Sequence, residues 1–154
     1  MKKLVILLLT GSLLACNTEN GSEKNKTINT PEEVHHEKAA NIDGLLLNNG
    51  AKWIADSITN LNVKSILGII EKFNIGTDKY LPAYIAVSGD LQQGLNKMIS
   101  ECKMQGEDHE ALHKWLEPLI AQVSKLKVAT TTANADTLFE AIHTRVKLYS
   151  QYFQ

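Results

Sequence analysis

Four runs of apolar residues, spaced by three and four positions, constrain the fold of this 154-residue chain more than any other feature. Residues at this spacing share one face of an α-helix, and each run suits a helix of roughly 16 to 25 residues. Short polar turns separate the runs, and the alternation typical of strands is almost missing. The sequence therefore predicts an all-α fold, an antiparallel up-down-up-down four-helix bundle. The runs cover residues 63–73, 80–102, 109–126 and 138–153.

Local signals predict how some of these helices begin, end and pack. Asp56 or Thr59 is suited to cap the first helix, because a side-chain oxygen there can accept from a free backbone N–H. Gly106 is expected to end the second helix in the left-handed conformation. Gly89 and Gly94 lie inside that helix and cost about 1 kcal/mol each relative to alanine. We therefore expect them to mark a close contact between helices.

The first sixteen residues predict an exported, lipid-anchored protein. Lys2 and Lys3 precede an apolar run over residues 4–14, which is too short for a stable membrane span. Leu13-Leu14-Ala15-Cys16 resembles the lipobox of bacterial lipoproteins. The resemblance implies a signal peptide over residues 1–15, cleavage before Cys16, and acylation of Cys16 with chains such as palmitate. It also implies a location in the bacterial cell envelope, with the folded domain outside the cytoplasm. An ordinary secretory signal, cut elsewhere, is the alternative.

The next segment, residues 16–41, is expected to be a flexible tether between the lipid and the bundle of residues 42–154. Asparagine, threonine, serine, glutamate and lysine dominate it, and it contains His35 and His36. A coil of about 25 residues has an r.m.s. span of roughly 27 Å, enough to hold a domain close to the membrane. The two histidines are interpreted as solvated side chains rather than metal ligands.

Charge and composition argue against nucleic acid as a partner. The formal net charge is −1, and aromatic residues make up 6% of the chain. A nucleic-acid surface needs clustered basic residues and often aromatic side chains on which bases stack. The membrane, through the N-terminal lipid, and an envelope protein remain the expected partners. The sequence does not indicate the oligomeric state.

The candidate functional site is the turn between the second and third helices. It holds a thiol, a thioether and two imidazoles, on Cys102, Met104, His109 and His113. The two histidines are four positions apart and so share one helix face. Sulfur and imidazole are ligands for zinc and copper. If Cys16 is acylated, Cys102 is the one remaining thiol, so no disulfide can form within the chain.

The alternating helix directions place this turn at the end of the bundle nearest the tether. The last turn of the fourth helix is expected at the same end, and so is the start of the first helix. Large aromatic side chains would therefore surround the candidate ligands. These are Trp53, Tyr149, Tyr152 and Phe153.

Three interpretations of the turn remain open. In the first, Cys102, His109 and His113 bind copper or zinc, with Met104 or water as the fourth ligand. In the second, His109 or His113 and a methionine ligate a non-covalent haem, since the chain lacks the Cys-x-x-Cys-His motif. In the third, Cys102 and Met104 are core residues and the histidines lie near the surface.

An enzyme is not expected. Cys102 and His109 could form a thiolate–imidazolium pair, but no third residue that would orient the pair and no oxyanion motif is recognisable. The bundle is therefore predicted to bind a soft metal ion or, alternatively, to be a non-catalytic interaction module. As such a module it would present one face to an envelope protein and would need no metal.

Two stretches resemble an uncharacterised family of small bacterial helical-bundle proteins. They are Leu-Leu-Asn-Asn-Gly-Ala-Lys-Trp at residues 46–53 and Cys-Lys-Met-Gln-Gly-Glu-Asp-His-Glu-Ala-Leu-His-Lys-Trp-Leu-Glu-Pro at residues 102–118. The resemblance extends over roughly residues 44–154, most of the folded region. It implies the four-helix fold and brings no activity.

Overall fold

Four α-helices of similar length form the folded part of the chain, and the all-α prediction is confirmed. The computed structural model describes Asn41 and residues 43–154. The expected signal peptide, Cys16 and the tether up to residue 40 lie outside the described residues. None of the described helices is long and apolar enough to cross a membrane. The helices are α1 (Ser57–Ile75), α2 (Leu81–Glu101), α3 (Gly106–Lys127) and α4 (Thr132–Tyr152).

The bundle is held together by apolar faces that the sequence spacing predicts. Each helix packs against the next along the chain, and α4 also packs against α1 and α2. Connections of four or five residues make consecutive helices antiparallel. The side chains that fill the centre come from all four helices. Among those that are fully buried are Ile66, Ile70, Tyr84, Leu91, Leu95, Met98, Leu112, Trp115, Leu119 and Phe139.

Capping side chains fix where two of the helices begin. Asp56 Oδ1 accepts from the Thr59 N–H at 2.6 Å and so caps α1. Thr131 Oγ1 accepts from the Asn134 N–H at 3.2 Å and caps α4. Each contact satisfies a backbone donor that the first helical turn leaves free. Of the two predicted caps for α1, Asp56 is therefore the correct one.

A leading segment, residues 43–56, closes one end of the bundle. Its backbone forms hydrogen bonds with the backbone at the C-terminus of the chain. The Trp53 N–H donates to the Tyr152 carbonyl at 2.8 Å, and the Gln154 N–H donates to the Trp53 carbonyl at 3.1 Å. Within this segment, Leu45 is buried, and the Asp43 carboxylate pairs with the Arg145 guanidinium. The leading segment and the C-terminus therefore meet at one end of the fold.

Three details of the predicted pattern are wrong. Tyr80 is 53% exposed and precedes α2, so it does not belong to the apolar stripe. Cys102 follows the last residue of α2 and has an extended backbone. Gly106 has the expected positive φ, of 67°, but it begins α3 instead of ending α2.

Candidate functional site

The connection between α2 and α3, residues 102–105, is short and extended. α2 ends at Glu101, and the Cys102 N–H still donates to the Met98 carbonyl at 3.0 Å. The chain then turns at Gly106, where a positive φ favours a residue without a Cβ. Met104 points into the core and is buried. The connection therefore separates the two sulfur atoms: Met104 is part of the packing and Cys102 is partly exposed.

Cys102, His109 and His113 line one small cleft beside this connection. The cleft has a volume of about 60 Å³, and its other walls are apolar side chains of α2 and α3. The His109 and His113 rings meet edge to face with their centroids 4.6 Å apart. His113 Nδ1 also lies 3.3 Å from Glu117 Oε1, one turn further along α3. Three of the four predicted ligands are thus neighbours, and Met104 does not line the cleft.

Cys102, His109 and His113 line the same cleft, but their sulfur and nitrogen atoms do not converge on one point. Within Asn41 and residues 43–154, no group of three or more His, Cys, Asp or Glu side chains is arranged to hold a metal ion. A volume of about 60 Å³ corresponds to roughly two water molecules. An ion with one water has a matching size, whereas a haem requires several times more space. Of the three interpretations, haem ligation fits this cleft least well.

Two carboxylates near the connection accept hydrogen bonds from backbone groups of other segments, and the sequence did not indicate these contacts. Asp108 Oδ1 accepts from the Ile54 N–H at 2.8 Å, and Asp56 Oδ2 accepts from the Lys103 N–H at 2.9 Å. Burial alone would raise the pKa of Asp56, but its hydrogen bonds with Thr59 and Lys103 outweigh that effect and lower it. The connection and the first turn of α3 are therefore each fastened to the leading segment.

The aromatic side chains predicted at this end are indeed gathered there. The Tyr149 ring stacks on Phe153 with centroids 4.7 Å apart and meets Trp115 edge to face at 5.0 Å. The Tyr149 hydroxyl donates to Asn60 Oδ1 at 2.9 Å. Burial, together with the nearby Asp56 and Cys102, raises the pKa of the Tyr149 hydroxyl. The Tyr149 hydroxyl therefore lies in poorly hydrated surroundings.

A much larger cleft than the one beside Cys102 lies between the outer faces of α1 and α2. This α1–α2 groove has a volume of about 920 Å³. Two of its residues, Ile69 and Phe73, are partly buried apolar side chains that pack against the core. Its lining residues are Ser65, Ile69, Lys72, Phe73, Gly76, Asp78, Tyr80, Ala83, Ala86, Val87, Asp90, Gln93, Gly94 and Lys97.

The α1–α2 groove owes part of its shape to small residues on α2. A Cβ placed on Gly94 would lie 3.0 Å from Ile66 Cγ1, so α1 approaches α2 closely at this point. Ala83 and Ala86 extend the same surface toward the start of α2 without filling the space above it. The close approach predicted at Gly94 is confirmed. At Gly89, by contrast, an added Cβ would meet no other atom within 4 Å.

The charged side chains along the α1–α2 groove balance in sign. Lys72 and Lys97 contribute two positive charges, and Asp78 and Asp90 contribute two negative charges. Lys97 Nζ lies 3.4 Å from Glu101 Oε2 and donates to Asn62 Oδ1 at 3.2 Å. The Lys97 and Glu101 side chains are 58% and 37% exposed, so their ion pair is weak.

A third cleft lies between α3 and α4 and contains a buried arginine. Arg145 is 9% exposed, and its pairing with Asp43 uses one of its nitrogen atoms. Its Nε and Nη1 atoms find no hydrogen-bond partner in the part of the chain that the structure describes. These atoms are themselves inaccessible to solvent, so a ligand in the cleft could not reach them in this conformation. We assign this arginine a structural role.

Comparison with known proteins identifies no relative from which a function could be inferred. No protein family, no curated protein sequence and no solved structure matches the chain at a level that indicates relationship.

Proposed function

We propose that this protein is a lipid-anchored interaction module of the bacterial cell envelope, with no catalytic role. The observation that carries the proposal is the α1–α2 groove, whose volume of about 920 Å³ is by far the largest among the clefts described above. Binding sites are typically concave and largely apolar, with a few polar groups that fix the orientation of the bound molecule. This groove has that composition, because Ile69, Phe73 and Val87 lie between charged side chains.

The dimensions of the groove favour a helix as the bound element. Its lining residues on the α2 side extend from Tyr80 to Lys97. At 1.5 Å per residue this corresponds to about 25 Å, or four to five helical turns. Small residues such as Ala83 and Ala86 allow a second backbone to approach closely. An amphipathic helix that lies in a groove of this kind is a common mode of protein recognition.

The proposed anchor supports the same function. Acylation of Cys16 would hold the bundle close to a membrane, where its partner would be another envelope protein. Multiple acyl chains are needed for stable anchoring, at about 0.8 kcal/mol for each buried methylene group. Replacing Cys16 with serine should release the protein from the membrane fraction and abolish incorporation of labelled palmitate. A Cys16→Ser protein that still carries label and sediments with membranes would contradict this part of the proposal.

In-cell photocrosslinking tests the role of the groove directly. A photoreactive amino acid replaces Ala86, which is exposed within the groove, or Ala121, which is exposed on α3 outside it. We expect illumination of cells carrying the full chain to yield a protein adduct of defined mass from position 86 and none from position 121. Absence of any adduct from position 86, in a protein that is correctly anchored, would rule out the groove as an interaction surface.

Binding of a soft metal ion at the α2–α3 connection is a second candidate function. The observation that favours it is the shared cleft of Cys102, His109 and His113, with the two imidazole rings 4.6 Å apart. Thiolate and imidazole ligands suit monovalent copper and zinc. Changes of side-chain rotamer would have to bring the three donors to one point.

A further inference from the structure

The exposed face of α2 carries opposite charges in a self-complementary arrangement. Asp90, Gln93 and Lys97 follow one another at spacings of three and four, so all three lie on one face of α2 and line the groove. Asp90 and Lys97 are two turns apart, about 10 Å along the axis. Gln93 lies between them, beside Gly94. An antiparallel copy of the same helix would present these charges in the reverse order.

We propose that the helix bound in the α1–α2 groove is α2 of a second copy of this chain. This inference rests on the proposed interaction function and names its partner. A two-fold axis that passes between Asp90 and Lys97 would bring Asp90 next to Lys97 of the partner subunit. The same symmetry would bring Lys97 next to the partner's Asp90. One surface patch therefore supplies both halves of the interface, as in the two-fold dimers that are the commonest oligomers.

The charge balance of the groove favours a second copy over a partner of one predominant charge. Two lysines and two aspartates line it, so a strongly acidic or strongly basic helix would meet like charges as often as opposite ones. A copy of α2 brings one charge of each sign in the required order. Lys97 would exchange its contacts with Glu101 and Asn62 for the partner's Asp90, and the pairing with Glu101 is solvent-accessible and therefore weak.

The small residues of the groove and the proposed anchor favour the same arrangement. Ala86 lies two turns before Gln93 on the same face of α2, and its short, exposed side chain leaves room for a second helix there. The Gln93 side chain can hydrogen-bond to its symmetry mate, because an amide both donates and accepts. Anchoring two copies in one membrane would raise their effective concentration, so that a modest interface would suffice.

A charge-exchange experiment on the full chain in the cell envelope tests this inference. Two copies carry different epitope tags within residues 17–30, and both carry a photoreactive amino acid in place of Gln93. We expect illumination to produce an adduct that contains both tags. The matched control places the photoreactive group at Gln151, which is exposed on α4 outside the groove, and should yield no such adduct.

The decisive step pairs the variants Asp90→Lys and Lys97→Asp. A dimer of Asp90→Lys chains would place lysine against lysine at both symmetric positions, and a dimer of Lys97→Asp chains would place aspartate against aspartate. We expect the yield of the two-tag adduct to fall about tenfold or more in each case. Co-expression of one variant with the other restores both opposite-charge pairs and should restore the adduct. Since the same chains are used, this recovery also shows that both variants fold.

The outcomes separate this inference from the interaction function on which it rests. Absence of a two-tag adduct in the unmodified pair, or failure of the mixed pair to recover, would overturn the dimer. If groove positions then crosslink to a different envelope protein, the interaction function stands and only its partner is wrong. If positions 86 and 93 yield no protein adduct at all, both proposals fail.

Discussion

The Lys103 N–H donates to Asp56 Oδ2 at 2.9 Å, across 47 positions of the chain. The other oxygen of the same carboxylate caps α1 by accepting from the Thr59 N–H. One side chain therefore starts the first helix and fastens the connection between the second and third. Because Cys102 immediately precedes Lys103, this contact also fixes the position of the candidate cleft.

Replacing Asp56 with alanine should cost about 2–3 kcal/mol of folding free energy, because both a helix cap and a charge-assisted hydrogen bond are lost. Thr131→Ala is the matched control. Thr131 caps α4 in the same way, and its one side-chain hydrogen bond in the described structure is the cap to Asn134. We expect that variant to lose only about 1 kcal/mol in urea denaturation. Equal losses in the two variants would show that the Lys103 contact adds no stability.

The contribution of Asp56 should also depend on pH. Its hydrogen bonds lower its pKa in the folded protein below the usual value of 3.8. The stabilisation is therefore fully present above that value and is lost as the pH falls through the lowered folded-state pKa. Urea midpoints of the wild type and of Asp56→Asn should differ at neutral pH and converge as the pH falls below the lowered folded-state pKa. A difference that stays constant over this range would contradict the assignment.

Leu95 tests the packing of the bundle, since it is 0% exposed in the middle of α2. Leu95→Ala should destabilise the protein by roughly 2–5 kcal/mol, through lost burial and the cavity left behind. The same substitution at Leu61, which is 55% exposed on α1, should cost less than about 1 kcal/mol. Thermal or chemical denaturation measures both. A loss at Leu95 as small as that at Leu61 would mean that the core face of α2 is assigned wrongly.

The helices could be predicted because their signal is local. Leu91, Leu95 and Met98 recur at three-and-four spacing, and all three are buried. The burial of Arg145 could not be predicted in this way. It depends on Asp43, 102 positions earlier in the chain, and on the leading segment that covers the end of the bundle. Periodicity describes one helix at a time and gives no information about contacts of this kind.

The candidate site likewise has features that local spacing predicts and features that depend on distant contacts. The spacing of His109 and His113 predicts that they are neighbours, and the short connection predicts that Cys102 lies near them. The position of Met104 depends on the exact backbone of that connection, and its side chain is directed into the core. The role of Asp108 could not be read from the sequence, because its partner, the Ile54 N–H, is 54 positions away.

The two glycines inside α2 provide a matched pair of substitutions. Gly89→Ala should stabilise the protein by about 1 kcal/mol, because the helix gains propensity and the new methyl group meets no other atom within 4 Å. Gly94→Ala gains the same propensity but places its Cβ 3.0 Å from Ile66 Cγ1. We therefore expect no net gain at position 94. A larger stabilisation at Gly94 than at Gly89 would contradict the close approach of α1 and α2.

Metal binding is the last prediction, and it depends on a small movement of side chains. Cys102 has to lose its proton to become a metal ligand, so binding should release a proton and weaken as the pH falls. His113 can ligate through Nε2 and keep the contact of its Nδ1 with Glu117 Oε1, because a carboxylate is a common partner for the second nitrogen of a metal-binding histidine. We expect the purified, reduced protein to bind monovalent copper or zinc at about one ion per chain.

Substitutions separate this site from adventitious binding. Cys102→Ser and His113→Ala should each lower the affinity by at least about tenfold, as expected for the loss of a ligand. His35 and His36 serve as controls, because they precede the bundle and their replacement should leave the affinity unchanged. Met104→Leu should also have little effect, since Met104 is buried and does not line the cleft. Binding that survives Cys102→Ser, or that disappears when His35 and His36 are replaced, would place the metal elsewhere and leave the connection with a purely structural role.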